Sequence, residues 1–337
     1  MEPNIKWINT EGKILARGWS DTHTPYSRFP SRSKNVLSVD VWELSQQSAG
    51  LFICFESNST FFYAKWILNG ETLGYPHMAA TSASGLDFYG QDTDGQWKWV
   101  GIGIPHKRGL NEVCINYGLD SKPRKYVLYL PLLNVVNSLF IGVDEVADFK
   151  FAEFSKKKPI VYYGTSIVHG IAASRAGSCH SSIIGRRIGY EVINLGFSGR
   201  GKMEIPIAEL IAEIDCSLYI IDCLPNMEFD LIKDRGRKFF DKLIQLKPNT
   251  PILVVEDRTY SYAWAITYFR QRNYKSRTSI KQIFQYLREE YGDHIHYLEG
   301  DQLLGQDGEG TVDGSHPNDL GFFRMANILE EKVKSII

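Results

Sequence analysis

What the chain lacks narrows its class before any motif is read. Its five cysteines, Cys54, Cys114, Cys179, Cys216 and Cys223, form no C-x-x-C pair. An odd number cannot all pair within one chain, and the spacing suits no zinc site, so buried thiols are expected rather than a disulfide framework. No apolar run reaches the 18 residues that would suggest a membrane-spanning helix. The net charge is −1, so no global field favours nucleic acid or an anionic membrane, and neither is an expected partner. The basic clusters are short, and Lys156-Lys157-Lys158 reads as a solvated junction. There is no internal repeat and no low-complexity tract. Met1-Glu2-Pro3-Asn4 has neither the charged nor the apolar part of a signal peptide. The expectation is a cytoplasmic protein, or a periplasmic or secreted one whose leader has been removed.

What is present suggests two domains, since 337 residues exceed the usual single-domain length. Aromatics are plentiful, with 18 Tyr, 18 Phe and 7 Trp; they can fill a β-sandwich core or form platforms for sugar rings. Residues 1–150 read as β. Short apolar or alternating runs recur at 50–55, 61–68, 97–102, 112–117, 126–131 and 138–143, separated by turn signals such as Asn69-Gly70 and Asp94-Gly95. Such a rhythm predicts an all-β sandwich or jelly roll.

Past the lysine junction the rhythm changes. Strands near 160–163, 191–195, 217–222, 251–256 and 296–298 alternate with helices near 178–188, 206–214, 230–246, 278–291 and 319–336. Alternation of this kind predicts an α/β domain over 159–337, with a parallel sheet covered on both faces.

The chemistry-bearing residues fall at the ends of those strands, where a parallel sheet gathers its loops on one rim. Pro159–Tyr163 breaks at Gly164-Thr165-Ser166, which places Ser166 in a strand-to-helix turn. Asn194-Leu195-Gly196 ends the second strand, Asp222-Cys223-Leu224-Pro225-Asn226 follows the third, and Asp313-Gly314-Ser315-His316 precedes the last helix. An Asp three residues before a His can lie beside it in one turn. Asp313 could thus orient His316, which could take the proton from Ser166 as acyl transfer begins. The backbone N–H groups of Ser166 and Gly196 and the side-chain amide of Asn226 could hold the resulting oxyanion. Taken singly, each has a plainer reading: an ordinary turn, a turn glycine, a cap, a loop before a helix. Their joint appearance in order argues for one site.

On these residues the chain resembles the SGNH, or GDSL-type, hydrolases, whose blocks carry Ser, Gly, Asn and His in this order, matched here by Ser166, Gly196, Asn226 and His316. It is more similar still to a two-domain bacterial subgroup whose N-terminal β-sandwich carries a Gly-x-Asp-Leu-Tyr motif, here Gly85-Leu86-Asp87-Phe88-Tyr89. The resemblance implies a flavodoxin-like, three-layer hydrolase domain after a jelly-roll-like domain. It departs at Gly164-Thr165-Ser166, where the family has Gly-Asp-Ser, and at Leu224-Pro225-Asn226-Met227, which keeps only the Asn of Gly-x-Asn-Asp. The activity expected is a serine esterase releasing small acyl groups, acetyl foremost, from a small-molecule or oligosaccharide ester, with no cofactor and no metal. A thioesterase or lipase-like hydrolase of longer acyl chains and a silent carbohydrate-binding protein are the alternatives.

Other residues keep two readings. His169 is a rival base or a structural residue of the helix start. Glu256 and Arg258 are substrate contacts or part of a buried ion-pair network that shapes a loop. The aromatic stretch Thr259–Tyr274, with Tyr260 and Trp264, walls the site and stacks on a sugar, or packs on the first domain or another subunit. Asp87 and Tyr89 form a structural turn or reach the site's rim.

Overall fold

The computed structural model describes residues 3–337. The chain forms two compact units. One comprises the residues through Ser31, Ser45–Lys156 and Ser174–Gly177; the other comprises Arg32–Leu44, Lys157–Ala173 and Ser178–Ile337.

The first unit is built from nine strands: β1 (Ile5–Asn9), β2 (Phe52–Ser57), β3 (Phe61–Leu68), β4 (Leu86–Gln91), β5 (Trp97–Gly103), β6 (Gly109–Tyr117), β7 (Arg124–Tyr129), β8 (Val136–Asp144) and β9 (Phe149–Phe151). They form two antiparallel sheets, ordered β1-β8-β3-β6 and β5-β4-β7-β2-β9. Along β3 the side chains alternate, with Phe62, Ala64, Trp66 and Leu68 buried. They meet Phe55, Phe88 and Tyr126 from the other sheet, with ring centroids of Phe62–Phe88 and Phe88–Tyr126 at 5.0 and 5.1 Å. The larger of these, such as Phe62 and Leu68, each contribute about 1.5–3 kcal/mol by leaving water. This is the sandwich expected. The one short helix inside it, α2 (Ala80–Ala83), precedes β4. Strand β4, which is not among the strands expected from the sequence, carries Leu86-Asp87-Phe88-Tyr89 of the Gly-x-Asp-Leu-Tyr-like motif, with Gly85 directly before it.

Between the two blocks of the first unit lies α1 (Val39–Ser45). The segment Arg32–Leu44 belongs to the second unit, where Arg32 pairs with Glu213 and Asp40 with Arg200. In return, Ser174–Gly177 belongs to the first unit, because Asp87 accepts hydrogen bonds from Gly177 N–H (2.8 Å) and Arg175 (3.2 Å).

The second unit has five parallel strands, β10 (Ile160–Gly164), β11 (Val192–Gly196), β12 (Leu218–Asp222), β13 (Ile252–Val255) and β14 (Ile295–Leu298), in the order β11-β10-β12-β13-β14. The first four are wholly buried, which explains their continuous apolar reading. Its helices are α3 (Ser166–His169), α4 (His180–Ile188), α5 (Ile205–Ile211), α6 (Phe229–Leu246), α7 (Thr267–Tyr291) and α8 (Asp319–Lys334). α4 packs with α8, and α5, α6 and α7 pack in succession, giving a three-layer α/β/α unit. Register pairs Gly164 with both Gly196 and Asp222, so three strands end level at one rim.

One boundary differs markedly from expectation. A loop is expected over 259–274 with a helix from 278, yet α7 starts at Thr267. Its inward stripe opens with Arg272, Asn273, Ser276 and Ser279 before reaching Ile280, Ile283 and Leu287. A helix whose buried face begins polar leaves no apolar periodicity to read.

Candidate active site

The turn carrying Ser166 is shaped by what its neighbours exclude. A Cβ on Gly164 would stand 2.4 Å from the Asp222 carbonyl oxygen, so only glycine fits where β10 ends against β12. Thr165 caps α3, its hydroxyl accepting from Ile167 N–H at 3.4 Å. Gly170, at φ +99°, closes that single turn. Ser166 is the first helical residue, and its backbone N–H is one of the donors that a helix start leaves without an intrahelical partner.

The imidazole comes from the loop before α8. Asp313 Oδ1 accepts from the N–H groups of Ser315 (3.0 Å) and His316 (2.7 Å), and Oδ2 accepts from His316 Nδ1 (2.7 Å). Nδ1 therefore carries a proton and Nε2 is left as the acceptor, 2.9 Å from Ser166 Oγ. Burial pushes the Asp313 carboxyl pKa up, but the bonds from the His316 ring and the two N–H groups outweigh it and hold the pKa below the ordinary value. The structure thus brings Ser166, His316 and Asp313 into one hydrogen-bonded chain.

Gly196 requires a correction as an oxyanion donor. Its N–H donates to Asn194 Oδ1 at 2.9 Å, and a Cβ there would stand 2.0 Å from His169 N. It is a packing glycine that lets β11 approach α3. The following turn is closer in character to the need. Gly199 sits at φ +68°, and the turn is tied down by Phe197 N–H to Gly164 O (3.0 Å) and by Asn226 Nδ2 to Arg200 O (2.7 Å). Asn226 reaches this turn with one amide proton and keeps a second. The stretch 196–201 holds three glycines, and only the tertiary hydrogen bonds separate their roles.

The remaining candidates divide. His169 is wholly buried at the end of α3, the structural alternative for it. Glu256 accepts from Tyr297 OH and Gly300 N–H, and Arg258 pairs with Asp257 and donates to the Ser315 carbonyl at 3.2 Å. Both are buried, with their charged groups engaged inside the protein, which matches the ion-pair reading. Tyr260 covers Arg258, its ring centroid 3.9 Å from the guanidinium carbon. Trp264 is 83% exposed and lines two neighbouring clefts, of about 590 and 340 Å³. The larger also takes Tyr274, Asn273 and Arg270, and the smaller Tyr260 and Ser261. Ser261 N–H donates to Gly314 O (3.0 Å), so the clefts' wall joins the loop that carries Asp313. In the first unit, Asp87 is fully buried and also accepts from Trp99 Nε1 at 2.9 Å.

Beneath the turn lies a buried polar chain absent from the sequence reading. His180 Nε2 meets Tyr162 OH at 3.0 Å, and Tyr162 OH donates to Asp222 Oδ2 at 3.3 Å. Burial and the nearby Asp257 charge push the Asp222 pKa up to about 7, and burial pushes that of His180 down to about 3. Among the described residues no group of three or more His, Cys, Asp or Glu could hold a metal ion.

Comparison with known proteins extends over both units. The profile of the GDSL-like Lipase/Acylhydrolase family matches residues 157–334, and that of the N-terminus of Esterase_SGNH_hydro-type (GxDLY) matches residues 5–149. A solved structure from Bacteroides ovatus, described as a GDSL-like lipase, is 34% identical, with a TM-score of 0.93 over 99% of this chain and 98% of that one. The salicylyl-acyltransferase SsfX3 of a tetracycline biosynthetic pathway is 17% identical, with a TM-score of 0.76 over 98% and 97% of the two chains. A family two carbohydrate esterase from Cellvibrio japonicus is 11% identical, with a TM-score of 0.62 over 99% and 98%. The last two share the fold. No curated protein matches the sequence.

Proposed function

Because the chain belongs to the GDSL-like lipase/acylhydrolase family, we propose that this esterase removes small acyl groups, acetyl foremost, from carbohydrate, with Ser166 as nucleophile. The observation that carries the reading is the unbroken chain Ser166 Oγ, His316 Nε2, His316 Nδ1, Asp313 Oδ2, at 2.9 and 2.7 Å.

The steps follow from that chain. Ser166 Oγ attacks the ester carbonyl while its proton passes to His316 Nε2. Asp313 stabilises the imidazolium that forms. The carbonyl oxygen becomes an oxyanion, met by the N–H of Ser166, the second amide proton of Asn226 and, in place of Gly196, the N–H of Gly199. Collapse breaks the bond to the sugar oxygen, which leaves with the proton from His316. Water then gives a proton to His316 and attacks the acyl-enzyme; acetate departs and Ser166 recovers its hydrogen.

The sugar half of the reading is supported by the cleft around Trp264. An exposed indole beside Tyr274, with Thr278 and Asp301 as hydrogen-bonding neighbours, suits a sugar face better than an acyl tail. Similarity of fold to a carbohydrate esterase agrees with it. The test is acetate release from acetylated oligosaccharides, together with rates on C2, C4 and C8 p-nitrophenyl esters. Loss of all activity in a folded Ser166→Ala protein is expected. Faster turnover of the C8 ester than of the C2 ester would reject the acetyl preference, and an active Ser166→Ala would reject the nucleophile.

A further inference from the structure

We infer that Asp257 is a positioning residue that locks the His316 loop and the Asn226 loop to one buried point. The inference rests on the roles proposed above for Ser166, His316 and Asn226.

Asp257 follows β13 and its side chain is fully buried. Each carboxylate oxygen holds a different arginine. Oδ1 pairs with Arg258 Nη1, and Oδ2 accepts from Arg272 Nη1 at 2.9 Å. The two guanidinium groups then reach opposite ways. Arg258 donates through Nε to the Ser315 carbonyl (3.2 Å) and through Nη2 to the Ser315 hydroxyl, and Ser315 is the residue before His316. Arg272 donates through Nη2 to the carbonyls of Pro225 (3.0 Å) and Met227 (3.3 Å), which bracket Asn226. One carboxylate therefore governs the backbone on both sides of the reacting centre.

The surroundings are arranged to keep that carboxylate still. Asn273 Nδ2 donates to Asp257 Oδ2 (3.2 Å), and Arg277 holds the Asp257 carbonyl through Nε (3.0 Å) and Nη2 (2.8 Å). The Tyr260 ring covers both arginines, 3.9 and 5.4 Å from their guanidinium carbons. Arg272 Nε has a further partner in Glu228, at 3.1 Å. A planar fork whose donors point to a carboxylate on one side and to carbonyls on the other transmits position as well as charge, which a lysine cannot reproduce. Neither arginine meets the reacting atoms. Both act through the loops they grip, and displacement of a reacting group by about 1 Å can cost about 10²-fold in rate.

The test measures steady-state kinetics on p-nitrophenyl acetate, labelling of Ser166 by a fluorophosphonate, and thermal melting, for the full chain and its variants. Asp257→Asn, Arg258→Met and Arg272→Met are each expected to lower kcat about 10²-fold, with KM changed less than about threefold, at temperatures where melting shows them folded. Arg272→Lys is expected to stay near Arg272→Met, because charge without the fork does not restore the two carbonyl contacts. Arg258→Met and Arg272→Met combined should cost less than the product of the two, since either alone already frees Asp257. Should the buried-charge variants fail to fold, Ser315→Ala and Glu228→Gln loosen one arm each without stranding a buried charge, and a several-fold loss of kcat at unchanged melting is expected. Unchanged kcat in these folded variants beside an inactive Ser166→Ala overturns the inference alone. An active, unlabelled Ser166→Ala overturns the reading on which it rests.

Discussion

A serine hydroxyl is a weak nucleophile until a base takes its proton, so the tautomer of His316 decides what Ser166 can do. That tautomer is set by Asp313, which accepts from Nδ1 at 2.7 Å. Asp313→Asn leaves the shape but offers an amide that can turn a donor towards the ring. A fall in kcat of about 10⁴, with KM little changed, is expected from steady-state kinetics. Asn226→Ala removes the amide proposed above as an oxyanion donor and the tether to Arg200 O; kcat should drop about 10²–10³. Gly196→Ala places a Cβ where His169 N already stands, so the expected outcome is a large fall in melting temperature rather than a selective kinetic effect. The Asp-x-x-His pair was legible in the sequence because its geometry is local, within one turn. Gly196 was misread as a donor because the sequence shows which glycines are present and not which N–H is already engaged.

At the scale of elements, two links lie next to the site, one at the surface and one buried. Asn318 caps α8 directly after His316-Pro317: its Oδ1 accepts from Gly321 N–H (3.0 Å), and its Nδ2 donates to Glu309 O (2.7 Å). Asn318→Ala should cost about 1 kcal/mol in stability, read as a lower urea midpoint. The second link is the chain His180–Tyr162–Asp222 across α4, β10 and β12. Folded Asp222 keeps its proton to about pH 7, against an ordinary value of 3.8, so between those limits the folded state binds more protons and its stability falls as pH rises. Folded His180 stays neutral down to about pH 3, against 6.5, so its contribution is lost as pH falls through that range. The slopes oppose each other between about pH 4 and 6.5. In Asp222→Asn the first slope is gone, and the variant's stability relative to the natural protein should climb with pH by up to about 1.4 kcal/mol per unit from pH 4 to 7. Urea midpoints at pH 4.5 and 7.5 check this, and a difference independent of pH would reject it. Strands β10 to β12 were readable because burial on both faces leaves continuous apolar runs. The first turns of α7 were not, because their inward face carries Arg272, Asn273 and Ser276.

At the scale of the molecule, the chain order does not follow the compact units. Residues 174–177 are flanked in sequence on both sides by residues of the second unit, yet they count with the sandwich, where Asp87 holds them. Asp87 is buried beneath Gly177 N–H, Arg175 and Trp99 Nε1, so Asp87→Ala strands a donor set and a cation. A loss of about 3 kcal/mol in unfolding free energy is expected, measured by denaturant titration. The lysine junction 156–158 is the one boundary that composition marks; nothing local marks Arg32–Leu44, whose attachment to the second unit runs through the ion pairs of Arg32 and Asp40.

The amino-acid sequence by itself determined the two architectures, the alternation of the five parallel strands with the longer helices of the second unit, and the serine, aspartate and histidine that meet at the rim. These follow from periodicity, turn chemistry and local spacing, all of which act between residues close along the chain. Only the tertiary structure decided that Gly196 is a packing residue, that Glu256 and Arg258 face inward, and that Asp257, through two arginines, grips loops as far apart in sequence as Met227 and Ser315. Those outcomes depend on which polar group finds which partner across long separations, and a buried charge or donor takes its meaning from the partner it meets.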